Sequence, residues 1–172
     1  MSEALDKLNR LSGYAGIFAK IVMAAMVIGM IGGCVLLVLT YTDPDIIIDN
    51  VPEVMSVGYA KAIAVNIIAG AAALFLIMYF VNRLFMNIHR NNAVFTDTNV
   101  KDLKMTALLI LILAVVMTVI VSLTTYFLID AEEVLVGMFS PFPMLLTAFV
   151  VYMLALIFSH GADLQRESDE TL

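Results

Sequence analysis

Two histidines, His89 and His160, and one cysteine, Cys34, are the side chains of this chain best suited to carry a proton, hold a metal or attack a substrate. A histidine does such work only with partners. Zinc sites need further His or Cys at ligand spacing, and an acid–base or nucleophilic site needs a carboxylate or an activated hydroxyl in reach. His89 and His160 have no such neighbours in sequence, although both fall near the same side of the chain and could meet there. Cys34 is alone, so it makes no disulfide within the chain and no CxxC pair. Ile31-Gly32-Gly33-Cys34 looks like a lipid-attachment motif, but the sequence stays apolar through Val35–Tyr41, where a mature lipoprotein would turn polar. Asp43, Asp45, Asp49 and Glu53 could draw a cation, yet the central Gly and final bidentate Glu of a calcium loop are missing. They read as a solvated acidic face. The sequence therefore predicts no catalytic residue, no cofactor, no metal and no enzyme.

The elements that hold these residues are legible from composition. The chain is 62% hydrophobic and 14% charged, against roughly 45–50% and about 25% in soluble domains, and its mean hydropathy is +1.01. The apolar residues gather in runs. Each is long enough, at about 1.5 Å per residue, to cross a hydrocarbon layer of ~30 Å. The runs predict an all-α polytopic membrane protein as one membrane domain. Its four transmembrane helices, over about residues 21–42, 62–86, 105–129 and 140–159, would form an antiparallel bundle. Between them lie a polar joint, 87–104, and a tail, 160–172. Pro141 and Pro143 suit the first turn of the last span, where a missing N–H is no loss. The last span is expected to stop at His160-Gly161.

Short interfacial helices are expected at the polar ends. Leu5, Leu8 and Leu11 recur at three-residue spacing among Glu3, Asp6, Lys7 and Arg10, which reads as an amphipathic helix on the membrane surface. In the joint, Thr96 is a good N-cap and Asp97 suits the positive end of a helix dipole. Ile46–Ile48 and Val134–Phe139 are β-prone and could pair.

Within the runs, Ala25, Gly29 and Gly33 fall four apart. Such a stripe lets a helix approach closely, from the same chain or from a second copy in a homodimer. Asn66 needs a partner inside its span, and Gly70 shares its side. Thr118, Ser122, Thr124 and Thr125 can bond to their own helix or across it.

Charge supplies the orientation. Four spans put both termini and the joint on one side, with Lys7, Arg10, Lys20, Arg83, Arg90, Lys101, Lys104 and Arg166; Lys61 alone lies opposite. The positive-inside rule then places both termini in the cytoplasm of a cell membrane (inner or plasma membrane). The inner side is near neutral, and the outer side carries the net charge of −6. Such a chain offers a lipid bilayer as its surroundings and no surface for direct nucleic-acid binding.

Leu84-Phe85, Ile88, Phe95-Thr96, Asn99-Val100-Lys101 and Leu103 resemble the LF..I..G.PFT..NV..L signature of domain-of-unknown-function family 2975, a group of small prokaryotic four-span membrane proteins. Gly161-Ala162-Asp163-Leu164-Gln165, with Glu167, Asp169 and Thr171, resembles its G..LQ.E.D.T ending. The chain has Ala93-Val94 where that signature has Gly-Pro or similar. The family it resembles has no established enzymatic activity. The resemblance implies a partnership with a small cytosolic helix-turn-helix regulator, since such genes often neighbour those of the family. The expected docking residues are Phe95, Thr96, Asn99, Lys101, Leu103, Leu164, Gln165 and Glu167. The expected helix-packing residues are Ala25, Gly29, Gly33, Asn66 and Gly70. The function expected is regulatory or signal-relaying through a cytoplasmic partner. The alternative is a subunit of a small-molecule or ion transporter or channel.

Overall fold

The computed structural model describes residues 2–46, 56–91, 94–128 and 142–170. They form long helices: α1 (Ser2–Thr42), α2 (Val57–Asn91), α3 (Asp97–Leu128) and α4 (Phe142–Glu170). Each carries a stretch long and apolar enough to cross a membrane. The protein is all-α and a multi-pass membrane protein. The expected pairing of Ile46–Ile48 with Val134–Phe139 falls largely on residues outside those described.

The helices are longer than their apolar runs. Even α4, with 29 residues, extends about 44 Å at 1.5 Å per residue, beyond a hydrocarbon layer of ~30 Å. The surplus is polar sequence that stays helical. The N-terminal segment, expected as a surface helix running into the first span, is continuous with that span in α1. The joint is built from the last turns of α2 and the first turns of α3. The helix of the fourth span is not broken at His160-Gly161; α4 runs through both to Glu170. A glycine costs a helix only about 1 kcal/mol relative to alanine, and it is followed by Ala162, Leu164, Gln165, Arg166, Glu167 and Glu170, all good helix formers.

The chain divides into two compact units. The first comprises Met1–Met23, Leu76–Ile112 and Phe142–Leu172; the second comprises Ala24–Phe75 and Leu113–Pro141. In the first, α1 lies against α2: the His89 ring sits over Gly13 and Met86 over Gly16. There α3 lies against α2 through Asp102, and Phe95 in the turn before α3 lies against α4. In the second unit, Gly33 of α1 faces the Ala64 carbonyl and Ile68 of α2, and Gly70 of α2 faces Met117 of α3. A Cβ on Gly58 would collide with the Leu128 carbonyl, so α2 can begin beside the end of α3 only without a side chain there.

Burial follows a helical stripe. In α3 the buried residues are Asn99, Val100, Asp102, Leu103, Thr106, Ala107 and Ile110, then Ala114, Met117 and Thr124. The spacing of three and four is one face of a helix. The opposite faces are apolar and exposed, as at Val115, Val119, Tyr126 and Phe149. In water they would be a liability; in lipid they are the required surface, because the helices satisfy their own backbone groups.

Candidate partner-docking site

The joint is ordered by short hydrogen bonds. The Asn99 backbone N–H donates to Thr96 Oγ1 at 3.2 Å, which is an N-cap bond satisfying one of the free donors at the start of α3. The Asn99 side chain donates Nδ2–H to the Val94 carbonyl at 2.9 Å. It thereby holds the short turn that precedes the helix. Asn99 is 1% exposed, so these bonds sit in a low-dielectric setting where leaving either group unmade would be costly.

One helical turn on, Asp102 is buried against α2. Its Oδ2 accepts from Asn87 Nδ2 at 3.2 Å and pairs with Arg83 Nε at 3.2 Å. The Asp102 side chain is 3% exposed and that of Arg83 is 49% exposed. The carboxylate is therefore dry while the guanidinium reaches toward solvent. This ion pair, with a buried carboxylate, pins the end of α2 to the start of α3. Thr106, also buried, spends its hydroxyl on the Asp102 carbonyl at 2.7 Å.

On the other side of α3, Phe95 meets α4. Its ring stands edge-on to Phe158 with centroids 5.3 Å apart. A Cβ on Gly161 would lie 2.6 Å from the Phe95 ring. Gly161 is thus a notch for an aromatic ring inside a continuous helix. Beyond it, Arg166 Nη2 donates to Asp97 Oδ2 at 3.1 Å. Both groups are largely exposed, so the pair contributes at most about 1 kcal/mol. Phe95, Thr96, Asp97, Ala162, Gln165 and Arg166 line a groove of about 410 Å³.

The expected docking residues divide. Phe95, Thr96 and Gln165 meet in this groove. Lys101, Leu164 and Glu167 are exposed on α3 and α4. Asn99 and Leu103 are buried and offer no surface to a partner: Asn99 closes the turn and Leu103 fills the core. Of the expected packing residues, Gly29 lies near Ala71 and Gly33 is tightly enclosed by α2, whereas Ala25 is exposed. Asn66 accepts a hydrogen bond from Thr124 Oγ1 at 3.4 Å. Thr118 bonds back to the Ala114 carbonyl at 2.7 Å.

Arg83, Asn87 and Asp102 were not expected as a site. A signal for them exists in the sequence. Asp102 falls on the same three-and-four spacing as Leu103, Thr106 and Ile110, so it belongs to the inward face. Arg83 and Asn87 are four apart, on one face of α2. His89 is exposed and donates Nδ1–H to the Asn9 carbonyl of α1 at 3.0 Å. Cys34 is exposed. Among the described residues no group of three or more His, Cys, Asp and Glu is placed to hold a metal ion.

A family model described as "protein of unknown function (DUF2975)" matches residues 10–172, and the chain belongs to that family. No curated protein and no solved structure matches it.

Proposed function

We propose that this DUF2975 protein is a non-enzymatic regulator of a cell membrane, with both termini in the cytoplasm, that relays a signal by binding a soluble partner. The observation that carries the reading is the groove where the start of α3 meets the end of α4, lined by Phe95, Thr96, Gln165 and Arg166. It mixes an aromatic face with amide, hydroxyl and charged groups, the composition that recognises a protein segment. Leu164, 52% exposed, adds an apolar contact on the polar end of α4. The family signature residues concentrate in these same two segments. The resemblance supplies the class of partner, a small helix-turn-helix regulator. Eight of the nine Lys and Arg residues fall on the side holding this groove, which supports a cytoplasmic location.

The test is affinity capture from detergent-solubilised membranes with the native chain and with Leu164→Glu combined with Gln165→Lys. The expected result is a soluble DNA-binding protein captured by the native chain and lost from the double variant, with the melting temperature unchanged. Recovery of no soluble partner, together with unchanged gene expression on deletion, would sink the proposal.

A second reading is a transporter or channel subunit. It is favoured by a hollow of about 310 Å³ in the second unit, lined by Tyr59, Asn66 and Thr125 among apolar residues. Four spans are few for a transporter, so this reading needs an oligomer. Solute or ion flux in liposomes holding the purified protein would support it over the regulator.

A further inference from the structure

In the first unit α3 and α4 run antiparallel, Phe95 meeting Phe158 and Gly161. Further along the same pair, a groove of about 620 Å³ opens between the helices. Lys104 and Tyr152 stand at one end of it, Ala107 and Ala148 in the middle, and Leu111 and Leu145 at the other end. Ala107 and Ala148 are buried, and their methyl groups are too short to fill the space between the helix backbones. From Lys104 to Leu111 is seven residues, about 10 Å along the axis, and apart from its Lys104 and Tyr152 end the lining is apolar.

Such a groove within a membrane span is not left empty, because lipid chains are the local solvent. What distinguishes this one is its charge. Lys104 is exposed and makes no ion pair among the described residues, and the same holds for Lys101, one turn nearer the start of α3. A cation at the edge of an apolar stretch needs an anion or water at the headgroup level. The chain's own nearby carboxylates are engaged: Asp102 by Arg83 and Asp97 by Arg166. A helix from a second copy would have to bring a carboxylate to this depth, and residues 105–129, like 21–42, carry none.

We propose that the groove holds one anionic phospholipid. An acyl chain lies over Ala107 and Ala148, and the phosphate sits against Lys104, with Lys101 adding attraction. The Tyr152 hydroxyl is available to the glycerol esters. This assignment is independent of the partner reading and of which side faces the cytoplasm.

The experiment is native mass spectrometry of the full chain released from vesicles of equimolar phosphatidylcholine and phosphatidylglycerol. One phosphatidylglycerol is expected to be retained in preference to phosphatidylcholine. Lys104→Gln is expected to lower that preference about fivefold, the effect of one cation near an anionic lipid surface. Ala148→Leu fills the groove and is expected to remove the retained lipid of either kind. Equal retention of both lipids by the native chain, or an unchanged preference in Lys104→Gln, overturns the proposal. Native dimers that Ala148→Leu turns into monomers would also overturn it, by making the groove a contact between copies. Should Ala148→Leu fail to fold, the Lys104→Gln comparison decides alone.

Discussion

The two units of this protein solve helix packing by different chemistry. The second packs by shape. Gly33 admits Ile68 and the Ala64 carbonyl, Gly58 admits the Leu128 carbonyl, and Asn66 and Thr124 make a long polar contact between helices at 3.4 Å. Its cation Lys61 lies 4.1 Å from the centre of the Tyr41 ring, which needs no carboxylate. The first unit packs by directed polar contacts: Arg83 and Asn87 on Asp102, Arg166 on Asp97, His89 on the Asn9 carbonyl. The directed contacts of the first unit fall at the polar ends of its helices, whereas the contacts of the second fall within apolar runs. In hydrocarbon, association rests on close packing with small hydrogen-bond terms. Near headgroups and water, long charged side chains can reach across helices and still be solvated at their tips. A carboxylate as buried as Asp102 is tolerable there because its partner, Arg83, reaches solvent.

That contrast can be broken at specific residues. The largest effect is expected from Arg83→Ala, which leaves a buried carboxylate with Asn87 alone. Losing one partner of a buried pair costs about 3–5 kcal/mol, and the solvent access of Arg83 puts this case near the lower value. Thermal unfolding in detergent, followed by circular dichroism, measures it; a loss below about 1 kcal/mol would mean that Asp102 finds another donor.

Gly161→Leu should come next. Its side chain would enter the Phe95 ring, and forced overpacking costs about 1–3 kcal/mol. Hydrogen exchange should rise in 95–103 and 158–170 while the second unit stays protected. Exchange spread evenly over the chain would show that Phe95 does not act locally.

Asn66→Ala should have the smallest effect, about 0.6 kcal/mol, the average for a polar contact between membrane helices. The same unfolding measurement applies. A loss comparable to that of Arg83→Ala would erase the distinction between the units.

The candidate site was partly readable before the fold was known. Thr96 followed by Asp97 announces a helix start, and the Asn99 N–H does bond to Thr96. Asn99, by contrast, looks like a surface residue in a polar joint and is buried, and Leu103, which could serve a partner or dock on a neighbouring span, is buried in the core. Polarity of a segment does not say which of its residues face inward. Gly161 misleads for a related reason: after a histidine and ahead of a charged stretch it reads as a helix end, whereas the neighbouring Phe95 ring makes it a packing notch.

The sequence by itself determines the membrane class, the number of spans and the helix start at Thr96. Those follow from run length, hydropathy and local hydrogen-bonding preference, which act over a few neighbouring residues. Only the tertiary structure decides that Asp102 is a buried acceptor for Arg83 and Asn87 and that Gly161 seats the Phe95 ring. It also decides that Phe95 and Gln165 share one groove. Each of these joins residues from separate helices, and the energy of such a contact depends on distance and burial that one-dimensional spacing does not carry.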